Sequence, residues 1–210
     1  MSDNLPFKEV RVIFKKTGAA MWFSHLDLAR SMSRALRRSK LELWMSQGFT
    51  PRPHIVFTPP LSLGYSSECE IMDFRLTPDA ELDKSALMDC FPPALMAVDV
   101  YTPTTKIKDI GFAKYQIKIN TTKTKAEVLD MFSKPVMMVK KTKRSESEVD
   151  ITEFIRSFDV TECENGLCIN AVLCCSQDKT LNPSYILSAL GATGSVVRTG
   201  FLDLNLKEFK

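Results

Sequence analysis

FSHLDLARSMSRALRRS, residues 23–39, reads as one amphipathic helix with a well-marked start. Ser24 is placed to accept a hydrogen bond from the third helical amide, and Asp27, three residues on, to accept one in return from the Ser24 amide. This is a capping box with Asp in place of Glu or Gln, and Phe23 facing Leu28 adds a hydrophobic staple. At the helical period, Leu28, Met32, Ala35, Leu36 and Ser39 share one face while Arg30, Arg34, Arg37 and Arg38 share the other. His25 projects from the first turn on the apolar side. It is either a packed, hydrogen-bonded residue or a candidate catalytic group beside the free amides of a helix start. The arginine face has no carboxylate after Asp27, whereas solvated faces usually interleave both signs. The bidentate guanidinium fork suits phosphate, so Arg30, Arg34, Arg37 and Arg38 are candidate nucleic-acid-binding residues.

Working outward, Val10, Val12 and Phe14 alternate as a strand before this helix. Residues 54–57 and 69–76 read as two further strands. A helix is expected over residues 79–90, with Thr77 as cap and Pro78 at the first helical position, and a last strand over residues 94–101. The second half repeats this order. Tyr115, Ile117 and Ile119 alternate as a strand, Thr124 and Glu127 form a capping box, and residues 135–139 are extended. Asn165-Gly166 marks a hairpin, Asn182-Pro183 starts a helix that Gly191 ends, and residues 195–204 close as a strand. One additional strand is expected near residues 149–158. Both halves therefore read βαββαβ, which predicts an α+β protein of two tandem ferredoxin-like units with antiparallel sheets, spanning residues 1–103 and 104–210.

Charge repeats with the same period. Residues 8–52 hold ten basic and three acidic side chains, 68–99 two and eight, 106–144 eleven and three, and 146–164 one and seven. The net charge of +3 conceals this alternation. No apolar run approaches the roughly 20 residues that cross a bilayer, and residues 1–10 lack the apolar core of a secretory signal, so a cytoplasmic chain without membrane attachment is expected. Six cysteines in such a chain read as reduced thiols. Cys163, Cys168 and Cys174 match neither a zinc knuckle nor an iron–sulfur spacing, and no local spacing joins His54 to His25, Asp27 and Cys69. No metal or cofactor is expected.

The stretch SQGFTPRPHIVFTPPLSLG, from residue 46, is longer than most connections, and its two prolines before His54 suit a shaped surface loop. Gln47, Phe49 and Arg52 are candidate contacts to a base and its phosphate, unless Phe49 tucks into the core as an anchor. Lys140, Lys141, Lys143 and Arg144 make a second basic cluster, readable as a nucleic-acid contact or as a charged hairpin edge answered by Glu146, Glu148 and Asp150.

FSHLDLARSMSRALRRS, followed by SQGFTPRPHIVFTPPLSLGYSSECEIMDF, resembles the signature of the radical-SAM-linked proteins, and KRSESEVDITEFI at residues 143–155 resembles a second segment of that family. The resemblance falls on Ser24, His25, Leu26, Asp27, Arg34, Arg37, Arg38, Ser46, Gly48, Phe49, Pro51, Pro53, Pro60, Leu61, Gly64, Ser67, Glu70 and Asp73. Where the family pattern has histidine between the two prolines and lysine after the second, this chain has Arg52 and His54, which argues against a ligand or catalytic role for a histidine in the loop. The resemblance implies an accessory subunit whose partner is a radical SAM enzyme on a separate chain. The chain lacks that enzyme's three-cysteine motif and is expected to have no activity of its own. Three functions follow as expectations: a non-catalytic, RNA-binding or substrate-presenting accessory; a metal-independent endoribonuclease resembling the repeat-processing enzymes of CRISPR systems, with His25 as general base; or a protein-docking module that uses the acidic stretches.

Overall fold

Strand β1, Lys8–Lys16, buries Val10, Val12 and Phe14 on one side, as its alternation predicts, but its other side is also covered: Arg11 has no exposed surface. The computed structural model in which this is seen describes residues 7–141, 146–176 and 178–210, apart from the side chains of 140, 141 and 146. The chain divides into two compact units, residues 1–107 with 210, and residues 108–209. Both are mixed α+β, with few helices and antiparallel pairing throughout the described ladders.

In the first unit β1 is followed by a 3-10 turn at Gly18–Trp22, helix α1 (His25–Arg38), β2 (Ile55–Phe57), β3 (Ser66–Leu76), α2 (Lys84–Asp89) and β4 (Ala97–Tyr101). The strand order is β4-β1-β3, with β2 on the far side of β3. Leu28, Met32, Ala35 and Leu36 of α1 join Val10, Val12 and Phe14 of β1, Met72, Phe74 and Leu76 of β3, and Leu87 of α2 in one core. Apart from Ala35, each such side chain contributes about 1.5–3 kcal/mol on burial, which holds α1 to the sheet and leaves its arginines outside.

α2 starts later than the expected residue 79. Asp83 caps it by accepting from the Ala86 amide at 3.0 Å, while the Thr77 hydroxyl donates to Glu42 at 3.0 Å. A 3-10 turn at Pro93–Leu95 also delays β4 to Ala97.

The second unit runs β5 (Ile110–Ile119), α3 (Lys125–Phe132), β6 (Met137–Lys141), β7 (Glu146–Asp150), β8 (Ile155–Cys163), β9 (Gly166–Cys174), α4 (Ser184–Leu190) and β10 (Gly194–Asp203). Its order is β10-β5-β9-β8, and β6 pairs with β7 as a separate ribbon. Thr124 and Glu127 form the expected capping box, and β8 and β9 meet at Cys163 and Gly166 around the Asn165-Gly166 turn. The single strand expected near residues 149–158 is two strands. Asp150 ends β7 by accepting from the Thr152 amide at 2.9 Å, which turns the chain through Ile151–Phe154 before β8 begins.

Arg11 and Asp73 are direct cross-strand partners of β1 and β3. Nε and Nη2 of Arg11 donate to the two carboxylate oxygens at 2.7 and 2.8 Å, while Nη1 donates to the Thr105 hydroxyl and Nη2 to the Thr105 carbonyl, each at 2.9 Å. Burial works against the charged guanidinium, but the bonds and charge of Asp73 more than offset it and raise the Arg11 pKa above its ordinary value. Replacing one member leaves the other uncompensated. Arg11→Ala is expected to lower unfolding stability in urea by about 3–5 kcal/mol, and an apolar pair at positions 11 and 73 to recover most of that loss.

Candidate nucleic-acid interface

The capping box at the start of α1 is formed as the residue pattern predicts. The Ser24 hydroxyl accepts from the Asp27 amide at 3.2 Å and donates to the Asp27 carboxylate at 2.6 Å, which also accepts from the Ser24 amide at 3.3 Å. Asp27 is thereby held below its ordinary pKa, first by the Ser24 hydroxyl and also by the Ser24 amide and the charge of Arg30. Phe23 packs against the core that contains Leu28. His25 is not packed into that core. It is exposed, with its ring edge on Phe57 of β2 at a centroid separation of 5.5 Å.

The four arginines are all exposed but not equivalent. Arg38 donates to the Cys90 carbonyl at the end of α2, at 2.8 Å, and so ties the two helices together. Arg37 makes a long contact of 3.4 Å to the Pro51 carbonyl. Among the described residues, the guanidinium groups of Arg30, Arg34 and Arg52 donate no hydrogen bond and make no ion pair. The face directed at solvent is therefore Arg30, Arg34 and Arg37, with Arg38 drawn toward α2.

The loop after α1 is closed at its base. Ser46 and Arg52 exchange two bonds: the Ser46 amide donates to the Arg52 carbonyl at 2.8 Å, and the Arg52 amide to the Ser46 hydroxyl at 3.1 Å. Met45 and Pro53 bridge one step further in. Trp44, below them, is fixed by its amide bond to the Arg75 carbonyl at 2.9 Å and by ring contact with His54 at 6.0 Å. What projects is residues 47–51, with Gly48 at a φ of 156° that favours glycine and Phe49 fully exposed. Phe49 is thus a presented aromatic and not a core anchor, and Gln47 and Arg52 flank it, both exposed.

From that tip, residues 51–57 run back along α1. Pro51 touches Arg37 near the end of the helix and Phe57 touches His25 at its beginning. Twelve helical residues rise about 18 Å and six extended ones about 20 Å, so the two contacts are compatible with a strap lying antiparallel to the helix. Beyond it, Gly64 donates its amide to the Met21 carbonyl at 3.0 Å, and a Cβ there would lie 3.3 Å from the ring of Trp22. Trp22 is 68% exposed, and Leu26 and Leu63 nearby in the chain are 57% and 55% exposed. Sequence position alone marks none of these three as exposed; Phe23 stands out there as the staple, and the one available signal is a tryptophan just before a helix cap.

The second basic cluster belongs to the second unit. Lys143 and Arg144 lie outside the described residues, as do the side chains of Lys140 and Lys141, whose backbone belongs to β6. A cleft of about 500 Å³ in the second unit, between residues 118–120, 163–165 and 193–195, has Lys118 and Glu164 in its lining and no aromatic ring. Among the described residues no group of three or more His, Cys, Asp or Glu side chains is arranged to hold a metal ion.

The carboxylate of the capping box sets a pH dependence. Since the folded-state pKa of Asp27 is lowered, its contribution is complete above the ordinary aspartate value and disappears as pH falls through the lowered one. Amide exchange in the first turn of α1 is expected to accelerate over that acidic interval, and Asp27→Ala to abolish the change.

Comparison with known proteins adds a family and a distant fold likeness. A family model described as "Uncharacterized protein conserved in bacteria (DUF2344)" matches residues 9–183. No curated protein matches. Among solved structures, a chain from "Crystal Structure of a Cbf5-Nop10-Gar1 Complex" is similar at 10% identity with a TM-score of 0.49, over 96% of this chain and 54% of that one. The chain here thus spans about half the length of that chain.

Proposed function

The chain belongs to this uncharacterised family of proteins conserved in bacteria, and on that premise we propose that it is a non-catalytic accessory that binds RNA on the α1 face and presents it to a radical SAM enzyme. The observation that carries this reading is the row Arg30, Arg34 and Arg37 beside the closed Phe49 loop. Exposed arginines supply the sequence-independent part of nucleic-acid affinity, and an adjacent exposed ring suits a base. The radical SAM partner rests on the resemblance of residues 23–39 and 46–74 to proteins linked to such enzymes. Several of those positions have structural duties: Ser24 and Asp27 in the helix cap, Ser46 at the loop base, Gly64 beneath Trp22, Asp73 against Arg11.

Each unit is, in the same reading, a ferredoxin-like module. The first has the order β4-β1-β3 with β2 outermost, and the second the order β10-β5-β9-β8 with the β6–β7 ribbon as an insertion.

The decisive experiment replaces the two arginines of this row whose guanidiniums, among the described residues, donate no hydrogen bond and make no ion pair. The double variant Arg30→Glu, Arg34→Glu is expected to bind RNA at least tenfold more weakly at low salt. Its slope of log affinity against log salt should flatten by about 1.4, since each phosphate neutralised on a single strand accounts for about 0.7. Unchanged affinity in this variant, with the fold intact, would remove the proposal. Capture of the radical SAM enzyme by the purified chain, tested separately, would support the presenting role.

A further inference from the structure

Resting on that reading of the α1 face, we infer that its ligand is an unpaired stretch of RNA whose bases stack on Trp22 at one end of the helix and on Phe49 at the other. The observation is an exposed ring at each end of the helix that carries the arginine row. Trp22 precedes the helix by three residues, and Phe49 precedes by two the residue that Arg37 touches near its end. The helix has 14 residues, a length of about 21 Å. At about 3.4 Å per stacked nucleotide, that spans about six nucleotides.

Both rings sit next to hydrogen-bonded backbone. Trp22 leans on the backbone of Gly64, whose φ of 81° and absent Cβ let the ring approach, and the Gly64 amide is bonded to Met21. Phe49 sits on a loop closed by Ser46 and Arg52. A duplex keeps its base faces stacked within the helix and offers these rings nothing to receive, whereas every unpaired base has a free π-face. Leu26, exposed one turn before Arg30, extends the apolar surface next to Trp22 toward the arginines. The arginines then hold phosphates and the rings hold bases, a division that makes the site selective for strand state and tolerant of sequence.

The test compares a short unstructured oligoribonucleotide with the same sequence annealed to its complement. Trp22→Ala and Phe49→Ala are each expected to weaken single-strand binding roughly five- to 150-fold, the effect of removing one stacked ring, while leaving duplex binding, the salt slope and the melting temperature unchanged. Trp44→Phe leaves Trp22 as the sole tryptophan of the two in the chain. Its emission should be quenched by the single strand and not by the duplex. If the wild-type chain binds single strand and duplex equally and neither ring variant changes that, the stacking inference falls while the arginine reading stands. If the wild-type chain binds neither, the arginine reading falls first. Trp22→Leu, which keeps an apolar side chain against Gly64, should weaken binding like Trp22→Ala; wild-type affinity in that variant would overturn a stacking role for Trp22.

Discussion

The pairing of Arg11 with Asp73 across β1 and β3 is the constraint on which the first unit depends. Both strands are central, and their register is that of a buried ion pair with two parallel bonds. A slip of one residue would set Arg11 against Met72 or Phe74 and turn every side chain to the opposite face. The apolar face of Val10, Val12 and Phe14 opposes the same slip, and the ion pair adds to that discrimination on the other face. With the register fixed, the end of β1 delivers the chain to the Gly18–Trp22 turn and α1, and the beginning of β3 delivers it from the loop that carries Gly64. The two sides of the proposed interface are thus positioned by one cross-strand contact beneath them.

Much of this was legible from local chemistry. Ser24 with Asp27 and Thr124 with Glu127 announce their helices because a capping box is complete within four residues. The hairpin at Asn165-Gly166 is equally self-contained. The expected start of α2 was misplaced because two residues could cap it: Thr77 has a suitable side chain, but Asp83 is the one that accepts from a helical amide, while Thr77 bonds to Glu42, 35 residues away. The burial of Arg11 was invisible too, because a lone arginine in an alternating strand reads as its solvent face until the residue opposite is known.

The site shows the same division. The arginine face follows from helical periodicity alone, yet the different fates of Arg37 and Arg38 depend on Pro51 and Cys90, which no pattern within the helix reveals. His25 is the instructive case. Its angle around the helix places it with Leu28 and Met32, yet its ring is exposed and meets the edge of Phe57, which helical periodicity does not reveal. Phe49 admitted two readings, and the reciprocal bonds between Ser46 and Arg52 decided between them by separating the tip from the core.

That closure has a thermodynamic side. Ordering a backbone costs about 1–2 kcal/mol per residue, and a connection running from Ser46 to Thr58 left free until a ligand arrived would lose more in entropy than one ring returns on stacking. Because Ser46 and Arg52 are joined and residues 55–57 are already paired to β3, only the five residues at the tip have freedom left to lose. Most of that ordering is therefore completed during folding, and a ligand meets a surface whose shape exists before contact.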